Sequence, residues 1–267
     1  MSDSQPPRFA ANLKWLFTEE PLEQQLQTVA GEGFTGVEIP NPYGTPAADL
    51  HRMLTEAGLG TVLINTPQGR QGSPTAGGSA CLPDQVTHFQ DGIRRALEYA
   101  VELQCPHVHV VGGRIPAGLS VERARAQYVR NLTWAADQAR SSGVRLLLEM
   151  QNQRSAPGFV LESQEQAAAV AQAVGEPVGL LFDVFHTQVA QGDVVHTFGQ
   201  VHDLVHHVQI GDAPERSEPG TGELAWPFVI EQMRAAGYRG WFGCEFTPQG
   251  SPRGVLSRVM EVVASDR

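Results

Sequence analysis

Four residues with oxygen-bearing side chains, Glu149, Asp183, Gln209 and Glu245, each end a short apolar run in the second half of the chain. The intervals between them are roughly 25–36 residues, about the length of one strand and one helix. Three carboxylates brought close together repel one another unless a positive charge compensates them. A divalent cation supplies that charge, and three carboxylates with one amide carbonyl suit Mg²⁺ or Mn²⁺ better than Zn²⁺. The four residues therefore predict a shared metal site, and the alternative for each one alone is a helix cap or a surface residue.

The elements that must position these side chains alternate between strand-like and helix-like segments along the whole chain. The predicted strands are 9–13, 36–39, 60–64, 107–111, 144–149, 178–182, a run that begins at 205, and 240–245. The predicted helices are 21–31, 46–57, 84–103, 121–142, 161–174, 186–201, 224–236 and 251–264, and the helix 186–201 is expected to be interrupted near Gly192. Eight such units without a linker predict one α/β domain, 1–267, built as a (β/α)8 TIM barrel, with 1–7 as a flexible N-terminal tail. A doubly wound open sheet is the alternative, which the missing GxGxxG after the first strand weakens.

Chemistry in a TIM barrel lies at the C-terminal ends of the strands, so we expect the four candidate ligands on four consecutive strands around one rim. Arg216, in the Pro- and Gly-rich loop after the seventh strand, either faces this rim or forms a surface ion pair with Glu215 or Glu218. The loop 65–83 is long for a compact domain, and such loops are usually functional or mobile. We expect it to close over the site.

Other side chains near the predicted strand ends are interpreted as structural. Strand alternation points Cys244 away from the barrel centre. His107 and His109 share one face of the fourth strand and are assigned to the core, because no third partner accompanies them. Trp15 and Trp241 either line the pocket or pack in the ordinary way.

Composition argues against several classes of function. The chain has 19 Lys and Arg against 29 Asp and Glu, and its net charge of −10 disfavours a nucleic-acid or anionic-membrane surface. A small anionic substrate held by one or two local arginines remains compatible with this charge. No apolar run approaches the roughly 18 residues of a membrane span, and the N-terminus lacks a signal-peptide pattern. The 3 cysteines lack CxxC spacing and suggest no disulfide framework or thiolate zinc site, so we expect a cytoplasmic protein.

A set of short motifs appears in a distinctive order along the chain. They are FAANL at 9–13, GVE at 36–38, LLE at 147–149, PGF at 157–159, FDVFH at 182–186, VQIGD at 208–212, EPGTGE at 218–223 and GCE at 243–245. In this order they closely resemble the hydroxypyruvate isomerase family, a branch of the xylose-isomerase-like TIM barrels. The resemblance covers nearly the whole chain, and the combination is more specific than any single motif.

The resemblance implies a reaction and a set of roles. It implies a metal-dependent isomerase with ligands at Glu149, Asp183, Gln209 and Glu245, in which Glu149 and Glu245 also transfer the proton. Hydroxypyruvate becomes 2-hydroxy-3-oxopropanoate (tartronate semialdehyde) when a proton moves from C3 to C2 through an enediolate. A cation stabilises the developing negative charge, while one carboxylate removes the carbon-bound proton and a carboxylate returns it.

The resemblance also implies residues that bind the substrate. Sugar epimerases similar to this family have a His three residues after the metal-binding Asp and an Arg just beyond the seventh strand, which fits His186 and Arg216. We expect His186 to contact a substrate oxygen, Arg216 to bind the substrate carboxylate, and Glu218 to orient Arg216. The alternatives are a solvent-facing His186 and a surface ion pair for Arg216.

Several positions depart from the family pattern. Met150 and Ser155 stand where related proteins tend to have a proline and an acidic residue. Lys14 replaces a small polar residue, and Asn65 stands where a histidine is common. Lys14 and Asn65 are therefore candidate substrate-binding residues that could adapt the site to a longer acid, with a solvent lysine and a turn asparagine as the alternatives.

Four alternative functions remain open. A 2-oxo-tetronate isomerase or a keto-sugar 3-epimerase would use the same chemistry on another substrate. A zinc-dependent DNA-repair endonuclease would need more His ligands and a basic DNA track, which the net charge of −10 disfavours. A non-catalytic sugar-acid-binding barrel would not need both carboxylates. We expect a small hydroxy-oxo acid as the partner, with no nucleic acid or membrane, and the oligomeric state stays open, a homo-oligomer included.

Overall fold

The computed structural model describes residues 6–265, in which eight parallel strands pair in chain order and close into a barrel through β8 and β1. The strands are Arg8–Asn12 (β1), Gly36–Ile39 (β2), Gly60–Asn65 (β3), His107–His109 (β4), Arg145–Leu148 (β5), Val178–Asp183 (β6), Val205–Ile210 (β7) and Trp241–Cys244 (β8). The α-helices around them are Leu22–Gly31 (α1), Ala47–Ala57 (α2), Val86–Glu102 (α3), Val121–Ala139 (α4), Gln164–Val174 (α5), Val184–Ala190 (α6), Val194–Val201 (α7), Trp226–Ala235 (α8) and Val255–Ala264 (α9).

Strand register places polar side chains side by side at the C-terminal end of the barrel. Asn12 on β1 pairs with Glu38 on β2, and Asp183 on β6 pairs with Gln209 on β7. Gln209 pairs in turn with Gly243 on β8. Because side chains alternate across a strand, neighbours in register point to the same face of the sheet. These positions therefore meet at one height inside the barrel.

An apolar layer inside the barrel lies below this polar level. It consists of Ala10, Val62, Leu63, Leu147 and Leu181, while a much larger core fills the space between strands and helices. Each fully buried Val or Leu contributes about 1.5–3 kcal/mol. For four of these five residues, the residue two positions further along the chain is polar, so the apolar layer supports the polar rim from below.

The predicted barrel is confirmed, and each predicted strand agrees with an observed one to within about two residues at its ends. The predicted helical region 186–201, interrupted near Gly192, corresponds to two helices, α6 and α7, but the first begins two residues earlier than predicted, at Val184. Asp183 explains the earlier start, because its Oδ1 accepts a hydrogen bond from the His186 backbone N–H at 2.9 Å and caps α6. Gly192 and Asp193, both left-handed, separate the two helices.

Two further helices begin later than predicted. The helix predicted from 161 begins at Gln164, because the Ser163 side chain caps it. The helix predicted from 251 begins at Val255, after the left-handed Gly254 with φ of 72°. Local capping therefore sets these boundaries more sharply than hydrophobic periodicity does.

Two further predictions concern the N-terminal tail and the long loop after β3. The predicted tail, 1–7, lies mostly outside the described residues. The last part of the loop 65–83 packs on the protein: the Cys81 N–H donates to the Gly112 carbonyl at 2.9 Å, and Asn131 donates to the Ala80 carbonyl at 2.8 Å. Closure of the loop stays a prediction. Within residues 6–265, no helix is both long and apolar enough to cross a membrane.

Candidate active site

The sequence-predicted ligands come together where β5 to β8 end. Glu149 and Glu245 directly follow β5 and β8, whereas Asp183 and Gln209 belong to β6 and β7. Glu149, Asp183 and Gln209 are buried, and Glu245 is partly exposed at the floor of a pocket of about 540 Å³. The pocket is lined by Lys14, Trp15, Arg114, Glu149, Gln151, Arg154, Ser155, Ala156, Phe185, His186, Pro214, Glu215, Arg216 and Glu245.

Arg216 is the cation at the centre of this cluster. Its Nη2 bonds Asp183 Oδ2 and lies 3.2 Å from Glu245 Oε1, and its Nε donates to the Glu245 backbone carbonyl at 2.9 Å. The rings of Trp15 and Phe185 lie 5.3 and 5.0 Å from the guanidinium carbon, a cation–π arrangement on both residues. Burial alone would lower the pKa of Arg216, but the surrounding carboxylates more than offset it and raise that pKa.

The loop that carries Arg216 is organised by Asp212. This buried carboxylate accepts hydrogen bonds from the backbone N–H groups of Gly220, Gly222 and Leu224 at 2.9, 3.0 and 3.2 Å. It also accepts one from the indole of Trp226 at 2.9 Å. Satisfying one buried charge with four donors folds the loop back on β7. Arg216 is thereby held in the left-handed conformation, with φ of 54°.

The two candidate catalytic carboxylates have perturbed acidities. Burial raises the pKa of Glu149 well above its ordinary value, and the neighbouring charges of Asp183 and Glu245 raise it further. Burial also raises the pKa of Glu245, against the opposing effect of Arg216. Gln151 donates to Glu149 Oε2 at 2.6 Å, which favours the ionised form. A further positive charge at this position would stabilise both carboxylates in that form.

His186 presents one ring nitrogen to the pocket and is neutral, because burial lowers its pKa to about 4. Its Nδ1 lies 3.2 Å from the Asn152 backbone N–H and 2.7 Å from the Asn152 side-chain amide. Its Nε2 lies 2.9 Å from Arg216 Nη1. One tautomer cannot accept from both partners. The backbone N–H at Nδ1 can only donate, so we assign acceptance to Nδ1 and the hydrogen to Nε2. The 2.9 Å contact between Nε2 and Arg216 Nη1 then brings two donors together, and Nε2 can donate to an oxygen in the pocket once Arg216 moves away.

This tautomer bears on which residues could hold a metal. Single ligand atoms of Glu149, Asp183 and His186 lie within 4.8 Å of one another. A protonated Nε2 cannot ligate, which disfavours His186 as a ligand. The oxygen set of the four strand-end residues fits a hard cation better, and three carboxylates with Arg216 in direct contact leave negative charge to compensate.

His109 contacts the site, although the sequence pattern assigned it to the core. Its Nε2 lies 3.5 Å from Glu149 Oε2, is buried, and has no hydrogen-bond partner within the described part of the chain. Burial lowers the pKa of His109 to about 3, so the ring is neutral. His109 is in register with Leu147, two residues before Glu149, so the parity of the two strands was the signal that could have revealed the contact.

The substrate-binding predictions divide into two groups. Lys14, His186 and Arg216 line the pocket, whereas Asn65 and Glu218 are not among its described lining residues. Glu218 instead binds Arg258 of α9 through both oxygens, at 2.6 and 2.9 Å, so it does not orient Arg216. This correction follows from the packing of α9, which brings a second arginine closer to Glu218 than Arg216.

Three further residues line the pocket: Arg114 and Arg154, which were not predicted, and Trp15, for which this was one of two open interpretations. Arg114 and Arg154 line the pocket, and Arg154 is held by the Pro214 carbonyl. Trp15, for which lining and packing were both open, lines the pocket and donates from its indole to Glu245 Oε1 at 3.2 Å. All three lie in loops just after strands, where loop conformation rather than periodicity decides which side chains turn inward.

Comparisons with known proteins agree with this fold and identify a family. The family model described as xylose isomerase-like TIM barrel matches residues 26–264. The 2-oxo-tetronate isomerase of Cupriavidus necator is 38% identical over 244 residues, covering 91% of this chain and 94% of that protein. The hydroxypyruvate isomerase of Escherichia coli K12 is 35% identical over 243 residues, with the same shares of 91% and 94%. The chain therefore belongs to the hydroxypyruvate isomerase family of xylose isomerase-like TIM barrels, and it is an isomerase.

Solved structures support the same placement. A Brucella melitensis protein described as an AP endonuclease of family 2 superposes with a TM-score of 0.91 at 33% identity, covering 98% of this chain and 100% of that one. A 3-keto-D-glucoside 4-epimerase of E. coli superposes with a TM-score of 0.73 at 18% identity, covering 97% of this chain and 98% of that one. At that identity the second match concerns the fold alone.

Proposed function

We propose that this isomerase is metal-dependent and interconverts hydroxypyruvate and 2-hydroxy-3-oxopropanoate. The observation that carries the proposal is a carboxylate cluster at one end of the barrel: Glu149 and Glu245 line the pocket, Arg216 contacts Asp183 and lies near Glu245, and Gln209 pairs in register with Asp183. The E. coli relative named for hydroxypyruvate supports the substrate. A cytoplasmic location is part of the same proposal.

The four strand-end residues would hold Mg²⁺ or Mn²⁺. The donor set is all oxygen, and its three carboxylates exceed the single arginine that contacts them. Once bound, the cation would stabilise negative charge on adjacent substrate oxygens. Arg216 bridges Asp183 and Glu245, so the guanidinium and a cation compete for the same two carboxylates.

Glu149 and Glu245 would carry the proton. One carboxylate removes the proton from C3 of hydroxypyruvate, and the other, initially protonated, delivers a proton to C2 of the enediolate. The C3 hydroxyl proton must also be replaced by one on the C2 oxygen: the second carboxylate would take up the hydroxyl proton while the first releases its proton to the C2 oxygen, which returns both to their starting states. Burial favours this role, because a carboxylate whose pKa is raised toward neutrality is a better base and can still give the proton back. General acid–base catalysis of this kind contributes about 10²–10⁴-fold for each group.

His186 and Arg216 would orient the substrate. The Nε2–H of His186 donates to a substrate oxygen, while Nδ1 stays fixed by Asn152. Arg216, released from the two carboxylates, offers a planar guanidinium to the substrate carboxylate. Trp15 and Phe185 keep that guanidinium next to the pocket.

A four-carbon acid is the second candidate substrate. The pocket of about 540 Å³ carries Lys14, Arg114 and Arg154 in addition to Arg216, more cationic groups than one three-carbon acid needs. The Cupriavidus necator relative is named for a 2-oxo-tetronate. A neutral keto-sugar would leave these cations without a partner. The net charge of −10 remains unfavourable for an endonuclease, and a purely binding role would not require two proton-transfer carboxylates.

The test is turnover of metal-stripped protein after addition of Mg²⁺ or Mn²⁺, with hydroxypyruvate and a 2-oxo-tetronate measured side by side. We expect metal-dependent turnover of hydroxypyruvate that Glu149→Gln and Glu245→Gln each reduce by at least about 10²-fold. Exclusive turnover of the four-carbon acid would transfer the proposal to the second candidate. Full activity after metal removal, verified by elemental analysis, would refute metal dependence.

A further inference from the structure

A buried carboxylate, Glu38, lies inside the barrel next to the candidate metal ligands and outside every role assigned above. It is fully buried on β2. Its Oε2 accepts hydrogen bonds from Asn12 Nδ2 at 2.6 Å and from Gln209 Nε2 at 3.0 Å, and its Oε1 bonds His207 Nε2. An ionised carboxyl in such a place needs donors on both oxygens, and β1 and β7 supply them.

The contact with Gln209 decides which end of that amide faces the site. A side-chain amide has one donor end and one acceptor end, and only the carbonyl oxygen can bind a cation. Oε2 of Glu38 is an acceptor, because it accepts from the Asn12 nitrogen, whose orientation is fixed by the Lys14 N–H that donates to Asn12 Oδ1. The same oxygen therefore holds the Gln209 nitrogen. Rotating the amide by 180° would place two oxygens about 3.0 Å apart without a hydrogen between them. Glu38 therefore turns the carbonyl oxygen of Gln209 away from itself.

The same carboxylate also anchors the loop after β1. Asn12, whose nitrogen bonds Glu38, accepts from the Lys14 backbone N–H through its own Oδ1 at 3.0 Å. The next residue, Trp15, donates to Glu245 at 3.2 Å. Glu38 thus connects to the site on two sides, directly through Gln209 and indirectly through this loop.

The Glu38 carboxylate occupies space that a side chain at position 243 would otherwise fill. A Cβ placed on Gly243 would lie 1.7 Å from Glu38 Oε1, so a side chain larger than hydrogen at this position would displace the carboxylate. Gly243 pairs with Gln209 on the neighbouring strand, and Glu245 follows it by two residues. The absence of a side chain at Gly243 on β8 therefore leaves room for the Glu38 carboxylate.

We propose that Glu38 is a positioning residue that orients the Gln209 amide for metal binding. The inference rests on the proposed metal-dependent function. A buried polar group with a purely structural role would affect stability alone, whereas a group that orients a ligand also affects metal affinity. Second-sphere partners of this kind typically change metal affinity about 10–100-fold.

Two substitutions separate hydrogen-bond geometry from charge. Glu38→Gln removes the charge but can keep a carbonyl oxygen toward Asn12 and Gln209. Its nitrogen would then donate to His207 Nε2, with the ring hydrogen moved to Nδ1, which has no partner within residues 6–265. Glu38→Asp keeps the charge but shortens the side chain by one methylene. By calorimetric titration with Mn²⁺, we expect Glu38→Gln to stay within about threefold of the unmodified protein and Glu38→Asp to bind at least about tenfold more weakly.

Gly243→Ala provides a second route if Glu38→Asp does not fold. Its methyl group would push Glu38 aside, and we expect the same loss of affinity for Mn²⁺. Ile93→Val, a conservative change in the core far from the pocket, controls for lowered stability and should leave Mn²⁺ affinity unaltered.

The outcomes are distinct. If the unmodified protein isomerises hydroxypyruvate and binds Mn²⁺, and if Glu38→Asp and Gly243→Ala bind Mn²⁺ as tightly as it does, the inference about Glu38 alone is overturned. A Glu38→Gln variant as weak as Glu38→Asp would also overturn it, because charge would then matter more than orientation. Unmodified protein that binds no Mn²⁺ would overturn both the inference and the proposed metal dependence.

Discussion

Arg216 partly neutralises the carboxylates around it, so replacing a single residue changes the net charge of this cluster. Its guanidinium contacts Asp183 and lies 3.2 Å from Glu245, so it supplies positive charge at the position where the proposed cation would bind both carboxylates. Its pocket neighbour Arg154 instead contacts the Pro214 carbonyl. The two arginines line one pocket but differ in whether they compete with a metal.

Replacing Arg216 by Met should therefore strengthen Mn²⁺ binding while it weakens catalysis. Removing a competing charge worth about 1.4 kcal/mol would tighten binding about tenfold. Turnover of hydroxypyruvate should fall because the substrate carboxylate loses its bidentate partner. Calorimetry and steady-state kinetics give the two values, and Arg154→Met is the matched control for Mn²⁺ affinity. Weaker Mn²⁺ binding in Arg216→Met would contradict this account.

The raised pKa of Glu149 predicts how the stability of metal-free protein depends on pH. A carboxyl whose pKa is higher in the folded chain holds its proton more tightly there than when unfolded. Its stabilising effect is complete below the ordinary value of 4.5 and is lost as the pH rises through the raised value. In EDTA, the Tm of the unmodified protein should fall more, or rise less, than that of Glu149→Gln as the pH rises above 4.5, because the variant lacks the titrating group. Comparing the two proteins cancels the opposite contribution of the buried neutral His109 and His186, whose lowered pKa values add stability as the pH rises. An equal slope in both proteins would exclude Glu149 as the cause.

At the scale of elements, the parallel strands bring distant residues together and the loops determine which side chains point inward. The loop after β7 depends on the single buried carboxylate of Asp212 and its four donors. Because this loop carries Arg216, an error in its folding would remove the guanidinium from Asp183 and Glu245 while leaving the strands that carry Asp183 and Gln209 in place.

Asp212→Asn should separate loop order from metal binding. The new NH₂ group would face at least one of the donors, and an unsatisfied buried donor costs about 1–3 kcal/mol. We expect a lower free energy of unfolding and lower turnover, with Mn²⁺ affinity not weakened and at most about tenfold tighter, because a displaced Arg216 no longer competes for Asp183 and Glu245. Denaturant unfolding, kinetics and calorimetry measure the three quantities. Glu223→Gln, an exposed carboxylate of the same loop, is the control; unaltered turnover in Asp212→Asn would contradict the role of the loop.

The elements also explain what the sequence could predict. Period-two apolar runs and glycine stops gave the strands and the barrel, because these signals are local. Glu149, Asp183, Gln209 and Glu245 could be assigned to one rim because a barrel repeats one strand per unit. The pairing of Glu218 with a residue of α9 could not be predicted, because it depends on how a distant helix packs over a loop.

Two contacts, His109 with Glu149 and Glu38 with Gln209, were harder to predict than the barrel but easier to predict than the pairing of Glu218. In each contact, both side chains point into the barrel, and the register between the strands determines whether they meet. A single sequence shows which residues alternate, but it does not show the height at which each strand enters the barrel. Register therefore limited the prediction of the site more than fold class did.

At the scale of the whole molecule, charge is unevenly distributed. The chain carries a net charge of −10, yet Lys14, Arg114, Arg154 and Arg216 all line one pocket. A local group of cations in an acidic protein is expected to select an anionic ligand by short-range contact rather than by long-range attraction.

This distribution predicts selective binding of acids. Tartronate, an unreactive dicarboxylate, should inhibit turnover competitively at least about tenfold more strongly than neutral dihydroxyacetone, a difference of about 1.4 kcal/mol. Arg154→Met should weaken inhibition by tartronate and leave that by dihydroxyacetone unaltered, because only the acid uses the guanidinium. Inhibition constants from steady-state kinetics provide the test, and equal inhibition by both compounds would contradict the proposed class of substrate.

The central claim is that Glu149 and Glu245 transfer the proton between C3 and C2. The most direct measurement is NMR of hydroxypyruvate in D₂O with Mn²⁺-reconstituted protein after removal of the paramagnetic ion from the quenched samples. We predict deuterium in the product, loss of isomerisation by at least about 10²-fold in Glu149→Gln and in Glu245→Gln, and C3–H exchange retained in only one of the two variants. Isomerisation within tenfold of the unmodified protein in either variant would contradict the claim.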